Sequence, residues 1–168
     1  NFMTNPDSPI TRYHLVGLSE SQTQVLKESL EFYARIHLGQ FETIEELFRF
    51  RGPIENREDY DLSEHLDNCE QALAHLQEAK RLLTGLTHHQ SKGLGQSSHS
   101  EANIAFDLMQ VVRHRLAWER SPEGGMQVCF DDPYLLNYSE EPKVAMLAQK
   151  SNSSEKGLFI DQEKGSSS

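Results

Sequence analysis

The chain has 168 residues, 36% hydrophobic and 25% charged, with a formal net charge of −10; that is enough for one domain around one core. No run of about 18 apolar residues occurs, which excludes a spanning helix, and the anionic balance argues against direct binding to nucleic acid phosphates. The charge is also polarised: residues 19–78 carry 14 acidic against 5 basic side chains, a net −9, whereas residues 79–120 carry 6 basic against 3 acidic.

The opening NFMTNPDSP lacks the basic segment and apolar core of a signal peptide, and Asn1-Phe2 ahead of Met3 reads as a cloning remnant. A cytoplasmic setting is expected. A single globular domain is expected over 11–147, flanked by flexible or cloning-derived tails at 1–10 and 148–168, the latter rich in Ser, Lys, Glu and Gly. Cys69 and Cys129 stand sixty residues apart, which gives neither a zinc spacing nor a disulfide framework. Buried free thiols are the expectation, and no cofactor is implied.

Residues 11–18, TRYHLVGL, alternate and are rich in strand formers, predicting one short strand. Ser19 with Gln22 forms a capping-box pattern, opening a helix that runs to about Leu38 and stops at Gly39. Its apolar arc holds Val25, Leu26, Leu30, Phe32, Tyr33 and Ile36, with Tyr33 and His37 expected as satisfied core groups. Gln40–Phe50 is a shorter amphipathic helix with Phe41, Ile44, Leu47 and Phe48 on one side, followed by a loop broken at Pro53 with Asn56 or Asp59 as cap. Then Leu62, Leu66, Cys69, Leu73, Leu76, Lys80 and Leu83 recur at alternating spacings of four and three, a heptad seam. It suits packing within the domain, or a homodimer through Leu62, Leu66, Leu73, Leu76 and Leu83; Lys80 is expected to snorkel outward.

GLTHHQSKGLGQSSHS, residues 85–100, reads as a mobile surface loop or lid carrying His88, His89 and His99. A second capping box at Ser98–Glu101 opens the fourth helix, which ends before Ser121-Pro122. Glu123-Gly124-Gly125 turns the chain into a strand at Met126–Phe130, expected to pair antiparallel with 11–18, and a further edge strand is expected at 143–147. The fold expected is therefore α+β, mainly α: about four helices bundled beside a small antiparallel sheet made by the N-terminal and post-helix strands.

The fourth helix carries the candidate site. Ile104, Ala105, Leu108, Met109, Val111, Val112 and Leu116 define its core arc, and Arg115 and Glu119, four residues apart, fall within it. A charge aimed at a core is costly unless paired or used. Beside the arc runs a polar strip, Asn103, Asp107, Gln110 and His114. With Arg113 or Arg115, Trp118 and the Gly124-Gly125 turn, the strip suits an anionic, nucleotide-like ligand. Arg supplies a bidentate fork, Trp a stacking face and Gly close backbone approach. The ligand-binding residues expected are Asp107, Gln110, Arg113, His114, Arg115, Trp118, Glu119, Gly124 and Gly125, with none assigned to catalysis or metal.

Glu42-x-x-Glu45 and Glu64-x-x-Asp67 resemble the acidic signature of the all-helical MazG-type nucleotide pyrophosphohydrolases, in which such carboxylates hold magnesium. The pattern places them off the apolar faces of their helices, against the inward carboxylates a bundle metal site needs. The stretches IAFDLMQVVRHRLAWERSPEGGMQVCFDDP and GLSESQTQVLKESLEFYARIHLGQFETIEELF are similar to small uncharacterised proteins encoded in bacteriophage and prophage genomes. That resemblance implies a phage accessory protein in the host cytoplasm, acting on a host defence or regulatory protein or sequestering an anionic nucleotide. The alternatives are the MazG-like hydrolase and an acidic decoy in which residues 19–78 mimic nucleic acid charge.

Overall fold

The computed structural model describes residues 15–52, 61–136 and 144–147. Within them the chain forms four α-helices, α1 (Glu20–His37), α2 (Glu42–Arg49), α3 (Leu62–Thr84) and α4 (Ser100–Arg120), and one 3-10 turn, Val128–Phe130. No described helix is long and apolar enough to cross a membrane. The bundle is as expected, but the sheet is not: among the described residues there is no strand. Residues 11–14, Asn56, Asp59, 137–143 and both tails lie outside the described residues.

The capping box of α1 forms as the sequence dictates. Gln22 N–H donates to Ser19 Oγ at 3.2 Å while Ser19 N–H donates to Gln22 Oε1 at 2.9 Å. At the other end Gly39 takes φ +80°, a left-handed turn that glycine adopts without a steric cost. Helix α3 is capped by Asp61 rather than by Asn56 or Asp59: its carboxylate accepts from Ser63 N–H at 2.7 Å, and the helix ends on left-handed Gly85.

Helices α1 and α4 make the largest interface, and α2 packs on α3. The pair α1 and α4 is antiparallel: Arg120 at the end of α4 bonds Glu20 at the start of α1, and His99 before α4 meets His37 at the end of α1. The buried stripe of α4, Ala102, Ala105, Met109, Val112 and Leu116, advances by three and four residues and meets Ala34 and Leu38. Three alanines in this set keep the two backbones close. Tyr33 and Val25, placed by the sequence on the inner arc of α1, are exposed instead, because the helix is rotated to bury Thr23 and Ala34. His37 is half-buried, with its Nδ1 3.0 Å from that of His99.

Three further expectations are corrected. Lys80 does not snorkel: it is 1% exposed, donates to the His88 carbonyl at 3.1 Å and lies 3.9 Å from the Glu42 carboxylate. A buried ammonium is tolerated when a carbonyl and a carboxylate receive it. Glu45 lies inside rather than off its helix, paired with Arg49 one turn on, while Leu47 and Phe48 remain exposed. The loop 85–99 is not a free lid but is tied to three helices: Lys80 holds His88, Lys92 N–H donates to the Leu38 carbonyl at 2.9 Å, and Asn103 clamps Gly95.

That last clamp also explains why the second capping box does not form. Asn103 Nδ2 donates to the Gly95 carbonyl and Gly95 N–H donates to Asn103 Oδ1, both at 3.0 Å, and Ser98 Oγ joins the same cluster. With Ser98 committed there, His99 becomes the N-cap and makes no side-chain cap bond.

Candidate binding groove

The groove is built by the chain that follows α4. Gly124, at φ +80°, turns beneath the Trp118 ring so closely that a Cβ would stand 3.3 Å from it. At Gly125 a Cβ would come within 2.6 Å of the Phe130 ring. Phe130 then packs edge-on against Trp118, centroids 5.5 Å apart, and its carbonyl accepts from Trp118 Nε1 at 3.1 Å. This corner is why Met126–Phe130 curls into a 3-10 turn rather than the expected strand: the indole takes the carbonyl a sheet would have used.

From the corner the chain runs back along α4. Asp107 pins it by accepting from Leu136 N–H at 2.8 Å. Asp107 and Trp118 are eleven residues apart on the helix, about 16 Å at helical rise. The six residues from Phe130 to Leu136 span up to about 20 Å, so the return segment covers that distance when it runs largely extended.

Between helix and return segment lies a groove of about 140 Å³, lined by Gln110, Arg113 and His114 from α4 and by Val128, Cys129, Asp131, Asp132, Pro133 and Tyr134 opposite. Gln110 is only 7% exposed, and its Oε1 has no hydrogen-bond partner in the protein; the same holds for Arg113 Nε and His114 Nδ1. Each such orphan costs about 1–3 kcal/mol. All three atoms are themselves shielded from solvent, as are Thr43 Oγ1 and Arg115 Nε, which also lack a partner and lie outside the groove.

Of the nine residues expected from the sequence, Gln110, Arg113 and His114 come together in the groove. Asp107 positions its far wall, and Trp118, Gly124 and Gly125 form its corner. Arg115 and Glu119 pair with each other on the flank, each about a third exposed, and do not line it. They lie past the core because α4 reaches the start of α1 there, where Arg120 meets Glu20. The His-rich loop does not cover the groove: His88 stacks on His89 and His99 meets His37. Asp131, Asp132 and Tyr134 were missed, although Pro133 straight after two aspartates signals a bend back. Cys69 is buried and free as expected; Cys129 is free and half-exposed on the groove wall.

Among the described residues no three His, Cys, Asp or Glu side chains are grouped to hold a metal ion. The four carboxylates of the hydrolase alternative are dispersed: Glu45 is paired with Arg49, Glu42 faces Lys80, and Glu64 and Asp67 are exposed on α3. No protein family, no curated protein and no solved structure matches this chain.

Proposed function

We propose that the chain is a non-enzymatic accessory binding protein of phage type, which acts by engaging a host defence or regulatory protein through the groove beside α4. The phage setting rests on the resemblance of the two stretches quoted above. The observation that carries the binding reading is the groove itself, walled by α4 and the return segment and bordered by exposed apolar side chains. Val128 and Tyr134, at 70% and 73% exposure, flank it, and Met126 stands free two residues before. Exposed aromatic and aliphatic side chains beside a polar groove offer the apolar contact that forms the core of a protein interface.

Size and charge favour a protein over a free nucleotide. The volume is well below the ~300–1,000 Å³ of typical small-molecule sites, and Asp131 and Asp132 set two carboxylates against the single guanidinium of Arg113. A phosphate chain would meet that acidic wall. A photo-reactive amino acid placed at Val128, and separately at exposed Leu82 on α3, tests the reading in host cells. A defined adduct from Val128 only, weakened by Arg113→Ala, is expected. The same adducts from both positions would overturn it.

A further inference from the structure

We infer that α3 is a self-association surface, along which a second copy of the chain packs antiparallel. Helix α3 has 23 residues, about 34 Å at helical rise. The one described helix that packs on it, α2, has 8 residues, about 12 Å. Helix α2 lies along the stripe of His65, Cys69 and Lys80: His65 Nε2 stands 3.1 Å from the Phe48 carbonyl, and Lys80 meets Glu42. Cys69 and Lys80 are accordingly buried. Beside that stripe Ala72, Leu76, Ala79 and Leu83 follow at steps of four and three, which keeps them on one side of the helix. No other described helix covers that side. Ala72 is exposed, Leu76 and Ala79 are half-buried, and Leu62 and Leu83 at the two ends are 59% and 75% exposed.

Charge and spacing choose the occupant. The first half of α3 carries Glu64, Asp67 and Glu70 against no Lys or Arg, while the second half carries Lys80 and Arg81 against Glu78. A parallel mate would set the acidic halves side by side with their helix dipoles aligned. An antiparallel mate sets each acidic half against the basic half of the other chain. Leu62 and Leu83 stand 21 residues apart, three whole heptads. A twofold axis beside Ala72, midway between them, therefore brings the Leu62 of each chain to the Leu83 of the other. On the axis the exposed Ala72 meets its own copy, where a small side chain lets the two backbones approach. A stripe that satisfies itself under a twofold rotation is the isologous contact of a symmetric dimer. It lies on a different helix from the groove and does not depend on the binding reading above.

The test is sedimentation of the full chain over a range of concentrations. A mass twice that of one chain is expected, falling to that of one chain for Leu83→Glu. Because the axis places that side chain in the contact twice, the dissociation constant should rise at least about a hundredfold. Leu83 is exposed, so the helical circular dichroism should be unchanged. Should the variant lose helix, Ala72→Glu, at another exposed position, sets two carboxylates together on the axis and reads the same contact. Orientation is read by oxidising a mixture of Leu62→Cys and Leu83→Cys chains, each also carrying Cys129→Ser. Disulfides between the two variants are expected, and none when either is oxidised alone. A single-chain mass at every concentration would overturn the inference. So would a dimer indifferent to both glutamate substitutions, or one in which Leu62→Cys chains crosslink to each other.

Discussion

Asn103 offers the sharpest test of how the bundle is tied together. It is 2% exposed and holds Gly95 by both its backbone groups, with a third contact from Ser98 Oγ, all at 3.0 Å. Asn103→Ala removes all three interactions. The net value of an intramolecular hydrogen bond is about 1 kcal/mol, and an orphaned buried group costs about 1–3 kcal/mol. Ser98 Oγ already reaches both Gly95 groups, at 3.2 Å to the N–H and 2.7 Å to the carbonyl, so neither is left wholly unpaired. The expected loss is therefore at the lower end, about 2 kcal/mol. Asn103→Asp preserves shape but turns the donor to the Gly95 carbonyl into a second acceptor and buries a charge, so it should cost more than alanine at pH 7, about 3 kcal/mol or above.

The aspartate variant also carries a pH signature. Burial without a cation raises the folded-state pKa of the new carboxyl above its unfolded value, so the charged form is what destabilises. As pH falls through the raised value, the carboxyl protonates, regains a donor for the Gly95 carbonyl, and the deficit against the parent shrinks. Urea unfolding followed by helical circular dichroism at pH 7 and pH 5 measures both variants. An aspartate variant as stable as the parent at pH 7, or an alanine variant within about 0.5 kcal/mol of it, would refute the clamp.

Other substitutions probe other joints. Gly125→Ala places a Cβ against the Phe130 ring; it should push Phe130 off Trp118, cost about 1–3 kcal/mol and shift the emission of this single tryptophan to longer wavelength. Unchanged emission would mean the corner is looser than described. Lys80→Met keeps the buried stem and removes the charge, and Glu42 is exposed enough to return to water. It should be near neutral or stabilising, whereas Lys80→Ala leaves a cavity and should lose about 2–5 kcal/mol; equal losses for the two would show that the ammonium itself holds loop 85–99. The Glu28 carboxyl is held below its ordinary pKa first by the Gln24 side-chain hydrogen bond and then by Arg51. A depressed folded pKa stabilises above the unfolded value, and that stability is lost as pH falls through the folded one. Glu28→Gln should accordingly lose less stability than the parent between pH 7 and pH 3, by a small margin since the site is solvated; parallel pH curves would count against the contact.

Where local chemistry decides an element, the sequence carried it. The Ser19–Gln22 box, Gly39 and Gly85 set helix ends because a side chain or a left-handed φ acts within four residues. Rotation of a helix about its axis was less legible, since it depends on which neighbour the helix meets. Tyr33 extends the apolar arc of α1, yet Thr23 and Ala34 are the residues buried, because a close antiparallel approach to Ala102 and Ala105 favours small side chains over a phenol. Lys80 and Glu45 show the same limit for charges. Nothing in the local pattern reveals that a carbonyl at His88 receives the ammonium, and the Glu45–Arg49 spacing shows that the two can pair but not that the carboxylate goes inside.

The site divides along the same line. Gln110, Arg113 and His114 were legible because a helix fixes which of its own residues share a face. The opposite wall depends on where the chain goes after Gly125. Met126–Phe130 has strand-forming composition, but composition counts only if a partner strand takes the backbone groups. Here Trp118 takes the Phe130 carbonyl and Asp107 takes the Leu136 N–H, so two α4 side chains do the work of a neighbouring strand and hold the segment as a strap. That substitution brings Asp131 and Asp132 to the groove that Arg113 also lines, so acidic side chains stand there with the cationic one of α4. A pattern-based reading that stops at the helix sees only its cationic half.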